Sequence, residues 1–220
     1  MNILITGAAT GIGRATVKRF VQASDSFNVY GLDLIGWVGD EQLPRYTHIT
    51  VNPSDSNSFP DLPDINILVN CFELHDSEDD LRYNASSVIA VTKKYGLQPA
   101  IRSILNLSSV AVHNGLELPE FVASKGSVFA FTKWTAVEVA KWGATCNSIS
   151  VGGVIYDENL RFIEDKEKFQ AIMAQTPLKK WATCEEIADW IYMFTVVNTS
   201  CSGQDLVIDN LESMNGKYIG

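Results

Sequence analysis

The residues best placed to do chemistry stand at the start of the chain. Three glycines, Gly7, Gly11 and Gly13, punctuate the stretch Thr6-Gly7-Ala8-Ala9-Thr10-Gly11-Ile12-Gly13. The apolar run Ile3-Leu4-Ile5 precedes it and Arg14-Ala15-Thr16-Val17-Lys18-Arg19-Phe20 follows, the order strand, tight loop, helix. Such a loop offers bare backbone N–H groups and a helix N-terminus to a diphosphate. In this reading Gly7 permits the sharp turn, Gly11 admits the phosphate, and Gly13 lets helix pack closely on strand. Twenty residues beyond Gly13, Asp33 closes a second apolar run, Asn28-Val29-Tyr30-Gly31-Leu32. A carboxylate there accepts hydrogen bonds from adenosine ribose hydroxyls and repels a 2′-phosphate. No Lys or Arg stands at 9, 10, 32 or 34, so the expected cofactor is NAD(H) ahead of NADP(H). The competing reading of Asp33 is a solvated loop carboxylate.

Placing that loop requires a sheet. Apolar, β-prone runs recur at 2–6, 28–33, 47–51, 65–71, 101–107, 145–151 and 204–209. Helical stretches near 12–24, 80–96, 119–142 and 183–197 lie between them. Continuous rather than alternating apolar strands, spaced by helices, predict an α/β fold: a doubly wound parallel sheet of Rossmann type, one domain over 1–220. The connection 52–64 carries three prolines, too many for a full helix, so one crossover is expected to shrink to a loop or a single turn. Ligands of such sheets bind beyond the carboxyl ends of the strands.

Composition narrows the partners. With 17 basic and 26 acidic residues the net charge is −9, which repels a nucleic-acid backbone. No apolar run approaches the ~18 residues of a membrane span, and a first strand at residue 2 predicts no signal or transit segment. Cys71, Cys146, Cys184 and Cys201 lie far apart with no metal-ligand spacing, and read as reduced thiols of a cytoplasmic protein with no metal site.

Further segments, in order, carry a resemblance. They are Ile67-Leu68-Val69-Asn70; Asn84 within a helix; Leu105-Asn106-Leu107-Ser108-Ser109; Phe121-Val122-Ala123-Ser124-Lys125; Thr176-Pro177-Leu178 with Glu185-Glu186-Ile187-Ala188; and Gly203-Gln204-Asp205-Leu206-Val207-Ile208-Asp209. With the glycine loop they resemble the short-chain dehydrogenase/reductase family, of compact single-domain type, over essentially the whole chain. The resemblance implies a nicotinamide cofactor and hydride transfer to or from a small carbonyl or alcohol. It implies cofactor contacts from Thr6, Gly7, Thr10, Gly11, Ile12, Gly13, Asp33, Asn52, Asn70, Lys125, Gly152 and Val154. It also implies an active site of Asn, Ser, Tyr and Lys, for which Asn84, Ser109 (or Ser108) and Lys125 are the counterparts.

The tyrosine is absent. Phe121 holds the position four before Lys125, on the same helix face. A phenol beside an ammonium is a usable proton donor, and a phenyl ring is not. Losing a general acid costs about 10²–10⁴ in rate. The variant spacing of enoyl reductases, tyrosine seven before lysine, falls on Leu118. Tyr156 and His113, each on a loop after a strand, are candidate replacements at the crevice mouth. Other departures gather nearby: Asn70-Cys71-Phe72-Glu73 where the family has Asn-Asn-Ala-Gly, Asn52 for an aspartate, Val151-Gly152 for proline-glycine, and Tyr156 near the usual threonine.

Two functions compete: an NAD(H)-dependent oxidoreductase with impaired or non-standard proton transfer, or an inactive dinucleotide-binding sensor or partner subunit. The segment 157–175, with Leu160, Phe162, Ile163, Phe169, Ile172 and Met173, is expected to be helical and to cover the substrate. The apolar excess of the 119–142 helix predicts a homodimer or homotetramer.

Overall fold

A computed structural model of the chain describes residues 1–39, 41–73, 80–156 and 163–214. Seven parallel strands form one sheet in the order β3-β2-β1-β4-β5-β6-β9. They are β1 (Asn2–Thr6), β2 (Asn28–Asp33), β3 (Tyr46–Thr50), β4 (Ile67–Asn70), β5 (Ser103–Ser109), β6 (Thr145–Val151) and β9 (Asp205–Ile208). A small second pair joins β7 (Val154–Ile155) to β8 (Ala182–Thr183). The helices are α1 (Gly11–Ala23), α2 (Asp80–Val91), α3 (Ala111–Asn114), α4 (Pro119–Ala140), α5 (Lys166–Gln175) and α6 (Cys184–Tyr192). Both α2 and α6 run on into a wider π turn, Thr92–Gly96 and Met193–Val197.

The continuous apolar runs become strands buried on both faces. All four residues of β4 are buried, as are six of seven in β5. One core gathers Ile3, Ile5, Val17, Phe20, Ile67 and Ile187, where α1 and α6 pack together. The other gathers Leu4, Leu68, Val91, Ile104 and Val139 on the opposite face, where α2 packs on α4. This is the expected doubly wound α/β fold. The crossover between β3 and β4 is reduced to the single 3₁₀ turn Ser56–Ser58, held by Asp55, whose side chain accepts from Asn57 N–H. The expected strand 101–107 is displaced to 103–109, because β5 stays paired with β6 up to Ser109 opposite Val151. The helix expected over 119–142 stops at Ala140, and Gly143 then takes a left-handed turn at φ 71°.

Strand order reverses between β1 and β4, whose last residues, Thr6 and Asn70, are register partners. The loops after these two strands therefore leave side by side, at the switch point where such sheets open a crevice. Part of the expected cover, 157–162 with Leu160 and Phe162, lies outside the described residues; its remainder forms α5, started by Asp165, which accepts from Lys168 N–H at 3.0 Å. Among the described residues no helix is long and apolar enough to cross a membrane, and no cluster of potential ligands could hold a metal ion.

Candidate active site

The glycine loop takes its shape from positions that tolerate no side chain. Gly7 sits at φ +63°, and a Cβ there would lie 2.5 Å from the Cys71 carbonyl oxygen. A Cβ on Gly13 would lie 1.9 Å from the Gly7 carbonyl oxygen. Gly11 is at φ +50°, where L residues are strained. The loop ends at Thr10, the N-cap of α1, whose side chain makes no capping bond. The first N–H groups of α1 are thus left to an outside acceptor, beside the positive end of the helix dipole.

A cleft of about 1490 Å³ opens over this loop, and Thr10, Gly11, Ile12, Asp33, Gly152 and Val154 all line it. Asp33 Oδ2 accepts from Ala9 N–H at 2.8 Å and Oδ1 from Ile35 N–H at 3.2 Å. That pins the carboxylate at the end of β2 and leaves lone pairs for further donors. The two cations of the first turns of α1 face another acid: Lys18 Nζ lies 2.6 Å and Arg14 Nη2 3.8 Å from Glu41. The Tyr156 ring overlies the loop, its Cδ2 3.3 Å from where a Gly11 Cβ would stand.

Ser109, at the end of β5, lines the same cleft. Its Oγ accepts from Ala111 N–H at 3.2 Å, so its own hydrogen remains to donate. Ser108 is fully buried with its hydroxyl toward the Lys125 carbonyl at 3.5 Å, which settles which serine reaches the cleft. Phe121 also lines the cleft, one helical turn before Lys125, with the Lys125 Nζ 5.5 Å from its ring centre. The Lys125 ammonium, expected to meet the cofactor, is 1% exposed and outside the cleft lining; it donates to Glu73 Oε2 at 2.6 Å and, at longer range, to the Leu107 carbonyl at 3.4 Å.

Other sequence candidates sit behind the cleft wall rather than on it. The Thr6 hydroxyl accepts from Cys71 N–H at 3.0 Å and Phe72 N–H at 3.2 Å, tying the loop after β4 to β1. Asn70 is buried and donates to Asn106 Oδ1 at 2.8 Å and Thr92 Oγ1 at 3.1 Å. Asn84 is fully buried and donates to Ser124 Oγ at 3.3 Å. Asn52 turns its side chain onto its own loop, Oδ1 accepting from Ser54 N–H, and is not in the cleft lining.

Of the two expected replacements for the phenol, only Tyr156 lines the cleft. His113 is bound instead to Asp205, Nε2 to Oδ2 2.8 Å, and packs edge-on to Phe129; a partner 92 residues away pulled it aside. Cys71 is among the cleft-lining residues, but burial pushes its thiol up to about 12, the Lys125 charge opposing only in part, which argues against a thiolate nucleophile at neutral pH. In the sequence Glu73 stands out only as a departure from the family pattern; its pairing with Lys125 across 52 residues left no local signal.

Residues 69–210 match the model of a family described as Enoyl-(Acyl carrier protein) reductase. The chain belongs to the short-chain dehydrogenase/reductase family of oxidoreductases. Among curated relatives it is 24% identical to a glucose 1-dehydrogenase of Gluconobacter oxydans, over 98% of this chain and 93% of the relative. It is 22% identical to an L-rhamnose 1-dehydrogenase (NAD(P)(+)) of a Sphingomonas species, over 94% of each. The solved structure of a 4-hydroxyisoleucine dehydrogenase complexed with NADH superposes with a TM-score of 0.83 at 22% identity, covering 98% of this chain and 99% of that one. A family member described from Agrobacterium tumefaciens as a putative 2-deoxy-d-gluconate 3-dehydrogenase, with bound NADP, gives 0.81 at 21% identity, covering 97% and 96%.

Proposed function

We propose that this chain is an NAD(H)-dependent oxidoreductase that interconverts a small-molecule alcohol and carbonyl without the family's tyrosine. The observation that carries this is one cleft shared by the uncapped start of α1, the pinned Asp33 carboxylate and the Ser109 hydroxyl. Thr10, Gly11, Ile12 and Gly13 would hold the diphosphate, and Asp33 the adenosine ribose. Lys125, buried and outside the cleft lining, would act at the nicotinamide end through the Glu73 carboxylate that it holds. Val154 and Gly152 would border the carboxamide, and Ser109 would hold the substrate oxygen. The nicotinamide would supply the site that accepts or gives hydride.

Preference for NAD(H) over NADP(H) is supported by Asp33 and by the commitment of Arg14 and Lys18 to Glu41. A 2′-phosphate beside that carboxylate costs on the order of 1 kcal/mol or more. The α4 surface supports a homodimer or homotetramer. Phe121, Val128 and Val139 are buried, yet Val137 is 74% and Trp134 46% exposed, with Phe131 stacked on Trp134 at 5.4 Å. A monomeric mass in sedimentation at micromolar concentration would overturn the oligomer.

Titration with NADH and NADPH, read by energy transfer from the tryptophans, tests the cofactor. NADH should bind more tightly; equal or tighter NADPH overturns the preference. Turnover is then read with NAD+ on D-glucose, L-rhamnose, 2-deoxy-D-gluconate and 4-hydroxyisoleucine. Tight NADH binding with no turnover would favour an inactive sensor or partner subunit.

A further inference from the structure

A buried ammonium needs a counter-charge, and the one Lys125 has comes from outside the family pattern. Glu73 stands three residues beyond the end of β4, on a loop whose backbone is fixed by the Thr6 hydroxyl. Its Oε2 lies 2.6 Å from Lys125 Nζ, and its side chain is 26% exposed where it lines the cleft with Ser109 and Phe121. A carboxylate has about four acceptor sites, so pairing with Lys125 leaves it capacity toward the cleft. Of the other acids of the lining, Asp33 is pinned by Ala9 and Ile35 N–H at the glycine loop, Glu212 accepts from Gly153 N–H at 3.1 Å, and Glu117 stands on an exposed loop.

The geometry points to Glu73 as the proton acceptor for the substrate hydroxyl, in place of the phenol that Phe121 lacks. This rests on the oxidoreductase reading above. In the oxidation direction the substrate O–H bond breaks and its proton goes to the Glu73 carboxylate. The O–H electron pair becomes the second carbonyl bond as the carbinol hydrogen leaves with its pair, as hydride, for the oxidised nicotinamide. Alcohol, carboxylate and NAD+ thus become carbonyl, carboxylic acid and NADH. The acid returns its proton to water through its exposed edge. Lys125 orients the carboxylate and balances its charge between turnovers.

Three variants test this with the alcohols named above. Glu73→Gln should lower NAD+-dependent oxidation by at least about 10²-fold while NADH still binds. Glu73→Asp keeps the ion pair's charge but withdraws the carboxylate, and should fold as wild type while losing at least tenfold. Glu73→Ala should be rescued by added formate and, as the stronger base, more by acetate. Without nucleotide, formate should raise the melting temperature of Glu73→Ala by occupying the place beside Lys125. Wild-type rates in Glu73→Gln or Glu73→Asp overturn the assignment, as does a formate-stabilised Glu73→Ala with no rate rescue. A wild-type chain that binds NADH but oxidises none of these alcohols overturns the oxidoreductase reading, and the role of Glu73 with it. Failure to bind NADH overturns the nucleotide reading beneath it.

Discussion

Replacing Phe121 by tyrosine puts a phenol on the wall of the cleft, and the surroundings set what it can do. The ring is 4% exposed and lines the cleft, with Lys125 Nζ 5.5 Å from its centre. With the ammonium over the ring, a hydroxyl added at the para position would come to about 6 Å from it, and at an effective dielectric near 20 a phenolate and an ammonium about 6 Å apart attract by about 2.8 kcal/mol, which alone would lower a phenol's pKa by about two units. Glu73, 2.6 Å from the same Nζ, opposes most of that. The new phenol is therefore a weaker acid than Lys125 alone would make it, and the smaller end of the usual gain applies. Phe121→Tyr should raise carbonyl reduction at neutral pH by about 10²-fold, or about 2.7 kcal/mol of barrier. The same transition state serves both directions and the equilibrium constant is fixed, so kcat/KM for oxidation of the matching alcohol should rise by the same factor, while NADH affinity barely changes, because the hydroxyl acts mainly in the transition state. The assay is initial-rate reduction of the matching carbonyls with NADH, beside oxidation of the alcohols. No gain in either direction, with NADH still bound, would refute the reasoning.

Gly13→Ala places a methyl where the Gly7 carbonyl oxygen stands, 1.9 Å away, so the loop must open; NADH binding should weaken by at least about tenfold, and unchanged affinity in the fluorescence titration would refute it. Among the four thiols, iodoacetamide at pH 8 should modify Cys201 first, since it alone is not buried; mass spectrometry finding Cys71 or Cys146 first would refute this. Burial raises the Cys71 thiol from 9.0 to about 12 and pushes Cys146 up as well. A raised folded value contributes stability that is complete below about pH 9 and is lost as pH climbs toward the folded value. Denaturant midpoints should therefore fall above pH 9, and Cys71→Ala should flatten part of that fall.

Local patterns determined a good deal here. Continuous apolar runs, helices between them and a proline-broken 52–64 were enough for the doubly wound sheet with one crossover cut to a single turn, because strand burial and helix breaking are written within a few residues. The three glycines could be read as loop-forming because the backbone at 7 and 11 and the contact at 13 admit no side chain. Phe121 and Lys125 could be placed on one face because four residues make a helical turn. The chain alone could not say that Ser109, not Ser108, reaches the cleft, since that depends on how far β5 pairs with β6 and on the alternation of side chains along it. Nor could it show that His113 is drawn to Asp205, that Asn52 folds onto its own turn, or that Tyr156 overlies Gly11. The pairing of Glu73 with Lys125 belongs to the same class. It exists because Thr6 and Asn70 are register partners at the point where strand order reverses, which brings the loop after β4 beneath α4. Sequence period reports which face a residue occupies; the charge that meets it from 52 positions away is fixed only by the register of the sheet.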